Sequence, residues 1–484
     1  MRAFFSAFFT ANLLLASFYL DIWCTPNPVS RALPVLALLQ DGTLAIDRFA
    51  DLTPDKARVG GRYYSDKAPL PTLAAVPFFG LLQAAGLTET TETTGRRYPV
   101  HVWRPVTGRD GRDRVVPQLV PLLLMSGLLF ASLPFAAMVL LALKRSAGMK
   151  GGLPPVALSM VAFYGSFLFV FAGTFFNHLL AGLLLLLSYI GLEQRRYFRS
   201  GLWLGLSLLA EYTVAAALLL WAPLVALRER RPKQVALFLL GALPAVVFLL
   251  GYNLATTGHL FRALNAYHDY QAFAGLHEGY GFRFPSLQAL WGLSFSFYLG
   301  LFTHAPVLLL CAYFLVREML EGHRWRTLWQ SYLFAFSVPF FLLISSFFTW
   351  WGGWSYGPRY LGVLAALLLY EGVNYLADKR TPPLVFWAVG GLGLASTWIA
   401  KVTVMYMIPD GSSELISAPG ESSYSLYPVH ELLHGRFNAN NVLTLAFDVP
   451  PAVAAFTWLL LFFAVILAFS LWYRRMHAAV SSER

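Results

Sequence analysis

Long apolar runs closed by short basic or glycine-rich stretches set the pattern of this chain. Apolar runs near 3–22, 235–252, 297–316, 328–348, 359–376, 382–403 and 451–473 alternate around "RERRPK", "REMLEGHRWR", "ADKR" and the tail "YRRMH". A helix needs about 20 apolar residues to cross the hydrocarbon core of a bilayer. A lipid-exposed backbone must also satisfy its own hydrogen bonds. The pattern therefore predicts an all-α polytopic membrane protein with about 12 transmembrane helices and further juxtamembrane helices on the outer face.

Lysine and arginine concentrate on the cytoplasmic side of membrane proteins. Placing the basic loops inside puts "WWGGWSYGPRY" and the 404–449 loop outside, with both termini inside. The first span then leaves 23–67 outside, where "SRALPVLALLQDG" reads as a short amphipathic helix lying on the membrane. The middle admits two arrangements. In one, 68–87 crosses and 88–115 is inside. In the other, 68–87 lies along the outer interface, 88–115 stays outside, and 200–227 is a short broken hairpin turning near Glu211. Basic residues tie at six in 88–115 against six in "KRSAGMK" and "EQRRYFR" together. The second arrangement is preferred. Acidic residues dilute the long loop, and 28 residues rising 1.5 Å each cannot make two full crossings.

Composition adds little that changes this picture. The chain is 57% hydrophobic and 13% charged, and its net charge is +11. The bases lie mostly in short loops between apolar runs, which excludes nucleic acid as the expected partner and leaves the membrane. Two cysteines, Cys24 and Cys311, offer no disulfide framework or cysteine metal motif. No repeat or soluble domain is visible, so one transmembrane domain over 1–484 is expected. Its outer-face loops are 23–115, 253–290 and 404–449.

The candidate chemistry gathers on the outer face. Arg31, Asp47, Asp51, Asp55, Asp66 and Lys67 come from the first loop, and Asn177 and His178 from "TFFNHLL". Glu211 and Tyr212 sit at the hairpin apex, while Tyr356 and Arg359 close "WWGGWSYGPRY". A carboxylate among apolar residues, as at Glu211, is expensive unless partnered. Glycines 352, 353 and 357 permit a tight turn ending on Arg359. Arginine's fork and lysine's point charge both suit phosphate oxygens. Each group has a plainer reading: an interfacial ion pair for Asp66 and Lys67, a helix junction for Asn177 and His178, an aromatic belt for the tryptophans. His268, Asp269, His277 and Glu278 have metal-capable side chains without a recognised spacing and read as loop residues.

On these segments the chain resembles the GT-C superfamily of membrane glycosyltransferases, in its aminoarabinose-transferase and protein O-mannosyltransferase branch. The resemblance is sharpest at "YYSDKAPL", similar to the family's acid-Lys-Pro-Pro segment, and extends to "FNH", "EYTVAAALL" and "WWGGWSYGPRYL". It implies a GT-C-like fold and a polyprenyl-phosphate-linked sugar donor. A lipid, glycan or protein acceptor would meet that donor at the periplasmic face of a bacterial inner membrane. Asp66 would help build the catalytic centre, and Lys67 would contact the lipid phosphate. Arg359, Arg31, His178, Glu211 and Tyr356 are the further substrate- or phosphate-binding candidates. The chain departs from the family at "CTPNPVSRAL", where Asn27 and Pro28 stand in place of an acid. The general base is then Asp47 or Asp66. A divalent metal ion held by Asp66, His178 and another acid is an open alternative. So are a lipid or solute flippase, disfavoured by the missing repeat, and a non-catalytic member of an envelope-polymer assembly.

Overall fold

The computed structural model describes residues 1–22, 25–88, 106–107, 113–114, 116, 118–147, 153–270, 281–297, 299–322, 331–353, 355–378, 381–406 and 423–482. The protein is mostly helical with little strand. Among the described residues six helical stretches are long and apolar enough to cross a membrane: Leu119–Ser146, Tyr212–Glu229, Pro232–Thr257, Arg359–Ala377, Pro383–Thr403 and Pro451–Met476. Five shorter apolar helices, Arg2–Ala16, Pro69–Ala84, Pro155–Tyr164, His178–Glu193 and Tyr332–Ser345, accompany them.

The chain divides into two compact units, each assembled from separated stretches. The first comprises Met1–Tyr19, Ser132–Ala172 and Pro285–Arg484; the second comprises Leu20–Ala131 and Gly173–Phe284. Neither unit is contiguous, so no linker composition marks a boundary.

The first unit is built around aromatic side chains. Tyr164, Phe169, Trp458 and Phe462 pack together with ring centroids 4.8 to 5.9 Å apart. Their polar tips are satisfied by backbone: Tyr164 donates to the Asn12 carbonyl at 3.1 Å and Trp458 to the Leu15 carbonyl at 3.0 Å. This is the usual arrangement for buried Tyr and Trp. The expected span at 297–316 is not one helix. It breaks into Leu301–His304 and Val307–Gly322. Pro306 accounts for the break, because it pushes the preceding residue out of the helical region, and Ala305 has φ −147°. The first helix, Arg2–Ala16, is also shorter than the expected 3–22.

The second unit is centred on the helix Pro26–Asp41. Pro26 opens it and Gly42, at φ +65°, closes it in the left-handed conformation that glycine adopts without strain. This is the segment expected to lie amphipathically on the membrane, and the structure corrects that expectation. Every residue from Pro28 to Ala37 is buried. Val29, Leu33 and Leu36 pack with Ile46, Phe79, Leu123 and Phe175 in one apolar core. Polar residues at both ends, Arg31 early and Gln40 and Asp41 late, resemble those of an amphipathic surface helix in sequence, but Arg31 finds partners inside the protein.

In the same unit the helices Tyr197–Ala210 and Pro232–Thr257 approach so closely that glycine is required at the crossing. A Cβ on Gly201 would fall 1.9 Å from the Phe238 carbonyl oxygen, and one on Gly241 would fall 2.1 Å from that of Phe198. Small residues spaced four apart, here Gly201 and Gly205, let apolar helices pack backbone to backbone. The expected break near Glu211 is present: Tyr197–Ala210 ends there, and Ala215–Glu229 begins after a short 3-10 turn. Pro69–Ala84 forms the helix expected after Lys67. Two small antiparallel hairpins, 57–59 with 62–64 and 106–107 with 113–114, are additions that the all-helical reading did not contain.

Candidate functional site

The hairpin at 57–64 aims the candidate acid and base. Its two-residue loop is Gly60–Gly61, with φ of +56° and +82°, the pairing a tight hairpin of this twist demands. Ala57 bridges to His268 on its other side, and the Asp269 N–H donates to the Lys56 carbonyl at 2.8 Å. The strand therefore delivers Ser65, Asp66 and Lys67 beside His268, just before Pro69 opens the next helix.

Lys67 lies between two carboxylates. Its Nζ is 2.8 Å from Asp66 Oδ2 and 2.9 Å from Asp55 Oδ2. Asp66 Oδ1 accepts from Ser30 at 3.1 Å, and Ser30 in turn meets Ser65 at 2.9 Å. Burial works against the charge on Asp66, but Lys67, His268 and Arg31 outweigh it and hold its carboxyl below the usual range. Burial likewise opposes charge on Lys67, and Asp55 with Asp66 reverses this, raising its pKa. His268 Nε2 is 3.6 Å from Asp66 Oδ2, while its Nδ1 accepts from the Tyr270 N–H at 3.1 Å. That acceptor role places the ring proton on Nε2, facing the acid. Burial is the largest influence on His268 and lowers its pKa against the opposing pull of Asp66.

A second polar group joins through the same helix. Arg31, next to Ser30, donates from Nη2 to Asn177 Oδ1 at 2.5 Å and from Nη1 to the Asn27 side chain one turn earlier. Asn177 Nδ2 donates to the Ala210 carbonyl and to Glu211 Oε2, both at 2.7 Å. His178 Nδ1 completes the group 3.2 Å from Glu211 Oε2, with its ring stacked on Phe176. The break in the helix is what presents Glu211, since it caps one helix with extended backbone. Burial raises the pKa of Glu211, but His178, Arg31 and Asn177 together lower it below its ordinary value. Tyr212, the next residue, reaches the Lys67 carbonyl at 3.5 Å.

The structure thus brings together Arg31, Asp66, Lys67, His178 and Glu211 from the sequence candidates. Asp47 is engaged elsewhere: Oδ1 accepts from the Tyr63 N–H at 2.6 Å and Oδ2 from Arg62 Nε at 3.1 Å, pinning the hairpin. Tyr356 and Arg359 belong to the first unit. There Gly352, Gly353 and Gly357 all have positive φ, +72°, +77° and +72°, and make the expected turn. The Arg359 side chain lies along the two glycines, since a Cβ on Gly352 would come 3.2 Å from its Cγ and Nε. Tyr356 is buried against the His304 ring, with its hydroxyl 2.8 Å from Ser396. His277, Glu278 and Trp354 lie outside the described residues.

Sequence reasoning passed over several members of this site. Asn27 stood as the missing acid, yet its side chain holds Arg31, and its place four residues before the arginine on a helix was the available signal. Asp55 stands among the outer-face acids of the sequence without a role, and His268 reads there as a loop residue; neither carries a local motif. In the first unit, the buried Lys401 donates to the carbonyls of Val170 and Ala172 at 2.9 and 2.5 Å.

Among the described residues no group of three or more His, Cys, Asp or Glu is arranged to hold a metal ion. Beside Asp66 the Lys67 ammonium takes the position a cation would occupy, and His178 is turned to Glu211. These residues do not fit a metal centre as they stand. No protein-family model matches the chain, and no curated protein or solved structure is significantly similar to it.

Proposed function

We propose that the chain is a membrane glycosyltransferase of GT-C type that moves a sugar from a polyprenyl-phosphate carrier to a hydroxyl on a lipid, glycan or protein acceptor. The observation that carries the reading is the half-buried lysine held between Asp55 and Asp66, with a buried arginine one residue from the serine that binds Asp66. One buried and one half-buried cation beside ionised carboxylates suit a reaction whose leaving group is a phosphate and whose nucleophile is a hydroxyl.

In this mechanism the Lys67 ammonium turns from Asp66 to the donor phosphate. Its departure frees Asp66 Oδ2. The acceptor oxygen attacks the anomeric carbon, the bond from that carbon to the phosphate oxygen breaks, and the polyprenyl phosphate leaves with both bonding electrons. The hydroxyl proton passes to Asp66. An oxocarbenium-like transition state asks little of the base, because the hydroxyl becomes acidic only as the new bond forms. Single displacement inverts the sugar carbon. His268, its Nε2 turned toward Asp66 at 3.6 Å, helps position the acid, and the Asn27–Arg31–Asn177–Glu211–His178 chain fixes the second cation. The active site faces the periplasm of a bacterial inner membrane, with both termini cytoplasmic.

The test is mass spectrometry of lipids retained by protein purified in mild detergent, with turnover measured on polyprenyl-phosphate sugars in vesicles. Wild type retains a polyprenyl phosphate or its sugar adduct, Lys67→Ala loses it, and Asp66→Asn retains it without turnover. Equal retention by Lys67→Ala defeats the phosphate assignment. Lipid movement across vesicles without bond cleavage replaces the enzyme with a flippase.

A further inference from the structure

Outside the cluster just described, the helix Ser423–Leu433 and the turn that follows it, with Gly435 at φ +67°, carry the run His430-Glu431-Leu432-Leu433-His434, the His434 N–H still donating to the His430 carbonyl at 3.1 Å. Histidines four apart lie one above the other on the same helical face. Here both rings are exposed, and their centroids are 4.1 Å apart. Two histidines at this spacing around a glutamate are the arrangement by which a helix offers two imidazole nitrogens to a zinc ion.

The hydrogen bonds say which nitrogens are on offer. His434 Nδ1 is 2.8 Å from the His430 carbonyl oxygen, an atom that can only accept, so Nδ1 carries the proton. His430 Nδ1 is 3.3 Å from Glu431 Oε1, and a carboxylate likewise only accepts. In both rings the remaining lone pair is then on Nε2. Metal-binding histidines are characteristically set in this way, with the other ring nitrogen donating to a carbonyl or carboxylate that fixes tautomer and orientation. Glu431 is itself buried and fixed by Arg436, whose Nη1 is 3.0 Å from the same Oε1. It is therefore an orienting residue and not a free general base.

The geometry points to a two-imidazole site for a divalent first-row transition metal at His430 and His434, oriented by Glu431 and Arg436. Imidazole suits Zn²⁺, Cu²⁺ and Ni²⁺ and gives no hold on Mg²⁺ or Ca²⁺. Two protein nitrogens leave the other positions of a tetrahedral ion to water or to an exchangeable ligand. The site stands independently of the proposed transferase reading and does not require it.

Titration of untagged, detergent-purified protein with ZnCl₂ and CuCl₂ by calorimetry tests it. Wild type takes up one ion per chain, with Cu²⁺ bound more tightly than Zn²⁺ and excess Mg²⁺ without effect. His430→Ala and His434→Ala each abolish that uptake. Glu431→Gln weakens it about 10-fold, and His259→Ala, at an exposed histidine elsewhere, leaves it unchanged. All these side chains except Glu431 are solvent-exposed, so the alanine variants fold. The proposal falls if wild type takes up no stoichiometric ion, if uptake survives either of the two histidine substitutions, or if His259→Ala reduces it equally.

Discussion

Arg31 donates from Nη2 to Asn177 Oδ1 at 2.5 Å, joining residues 146 positions apart in the chain. Through Asn177 the arginine is coupled to Glu211 and to the last carbonyl of the helix Tyr197–Ala210. One amide therefore satisfies a buried cation, a carboxylate and a helix end together.

Asn177→Leu leaves all three partners short of a hydrogen bond. Removing one member of a buried charged network costs about 3 kcal/mol. A lowered thermal midpoint in detergent, with Asn177→Gln partly restoring it, is the expected result. A midpoint within a degree of wild type would show that the network has no energetic weight.

The pH dependence of stability follows from Asp66 and Lys67. Asp66 has a depressed folded pKa, so its contribution is present above its unfolded value near 3.9 and fades as the pH falls through the folded one. Lys67 has a raised folded pKa, so its contribution is complete below its unfolded value near 10.4 and fades as the pH rises through the folded one. This pair by itself gives thermal unfolding a plateau between these limits. Asp66→Asn flattens the acid limb and Lys67→Met the alkaline limb; unchanged limbs in both would contradict the pairing.

His268 adds an earlier acid component. Its folded pKa is lowered, so the stability it lends is present above about pH 6.5 and declines below it. His268→Gln removes the part of the acid loss that begins between pH 6 and 7, about two and a half pH units above the carboxylate region. The same scans read it directly.

The helix crossing at Gly201 gives a packing prediction. Gly201→Val forces the helices apart, because even a Cβ there would overlap the Phe238 carbonyl. Overpacking of this kind costs about 3 kcal/mol. Gly251 lies on the same partner helix with nothing within 4 Å of an added Cβ. Gly251→Ala should therefore hold or gain about 0.5 kcal/mol from helix propensity. Comparable losses in both variants would rule out close packing as the cause.

Local pattern made much of the protein legible. Apolar runs near 359–376, 382–403 and 451–473 emerge as the helices Arg359–Ala377, Pro383–Thr403 and Pro451–Met476, because hydropathy and helix formation depend on neighbours in the chain. The turn before Arg359 was readable from its glycines, whose positive φ other residues adopt only with strain. The break at Glu211 was readable from a charge that no apolar helix carries without a partner.

What the chain pattern could not supply was partnership across distance. The helix Pro26–Asp41 has the composition of a surface helix, and only the packing of Phe79, Leu123 and Phe175 around it decides that it is buried. Asp55 and His268 carry no signature in their own segments; they meet Lys67 and Asp66 because a hairpin and a returning loop are paired there. Hydropathy is a property of each run by itself, so the sequence alone determined which stretches become apolar helices. Which polar side chain completes which buried charge depends on the direction each helix and loop faces once packed, and that only the tertiary structure decided.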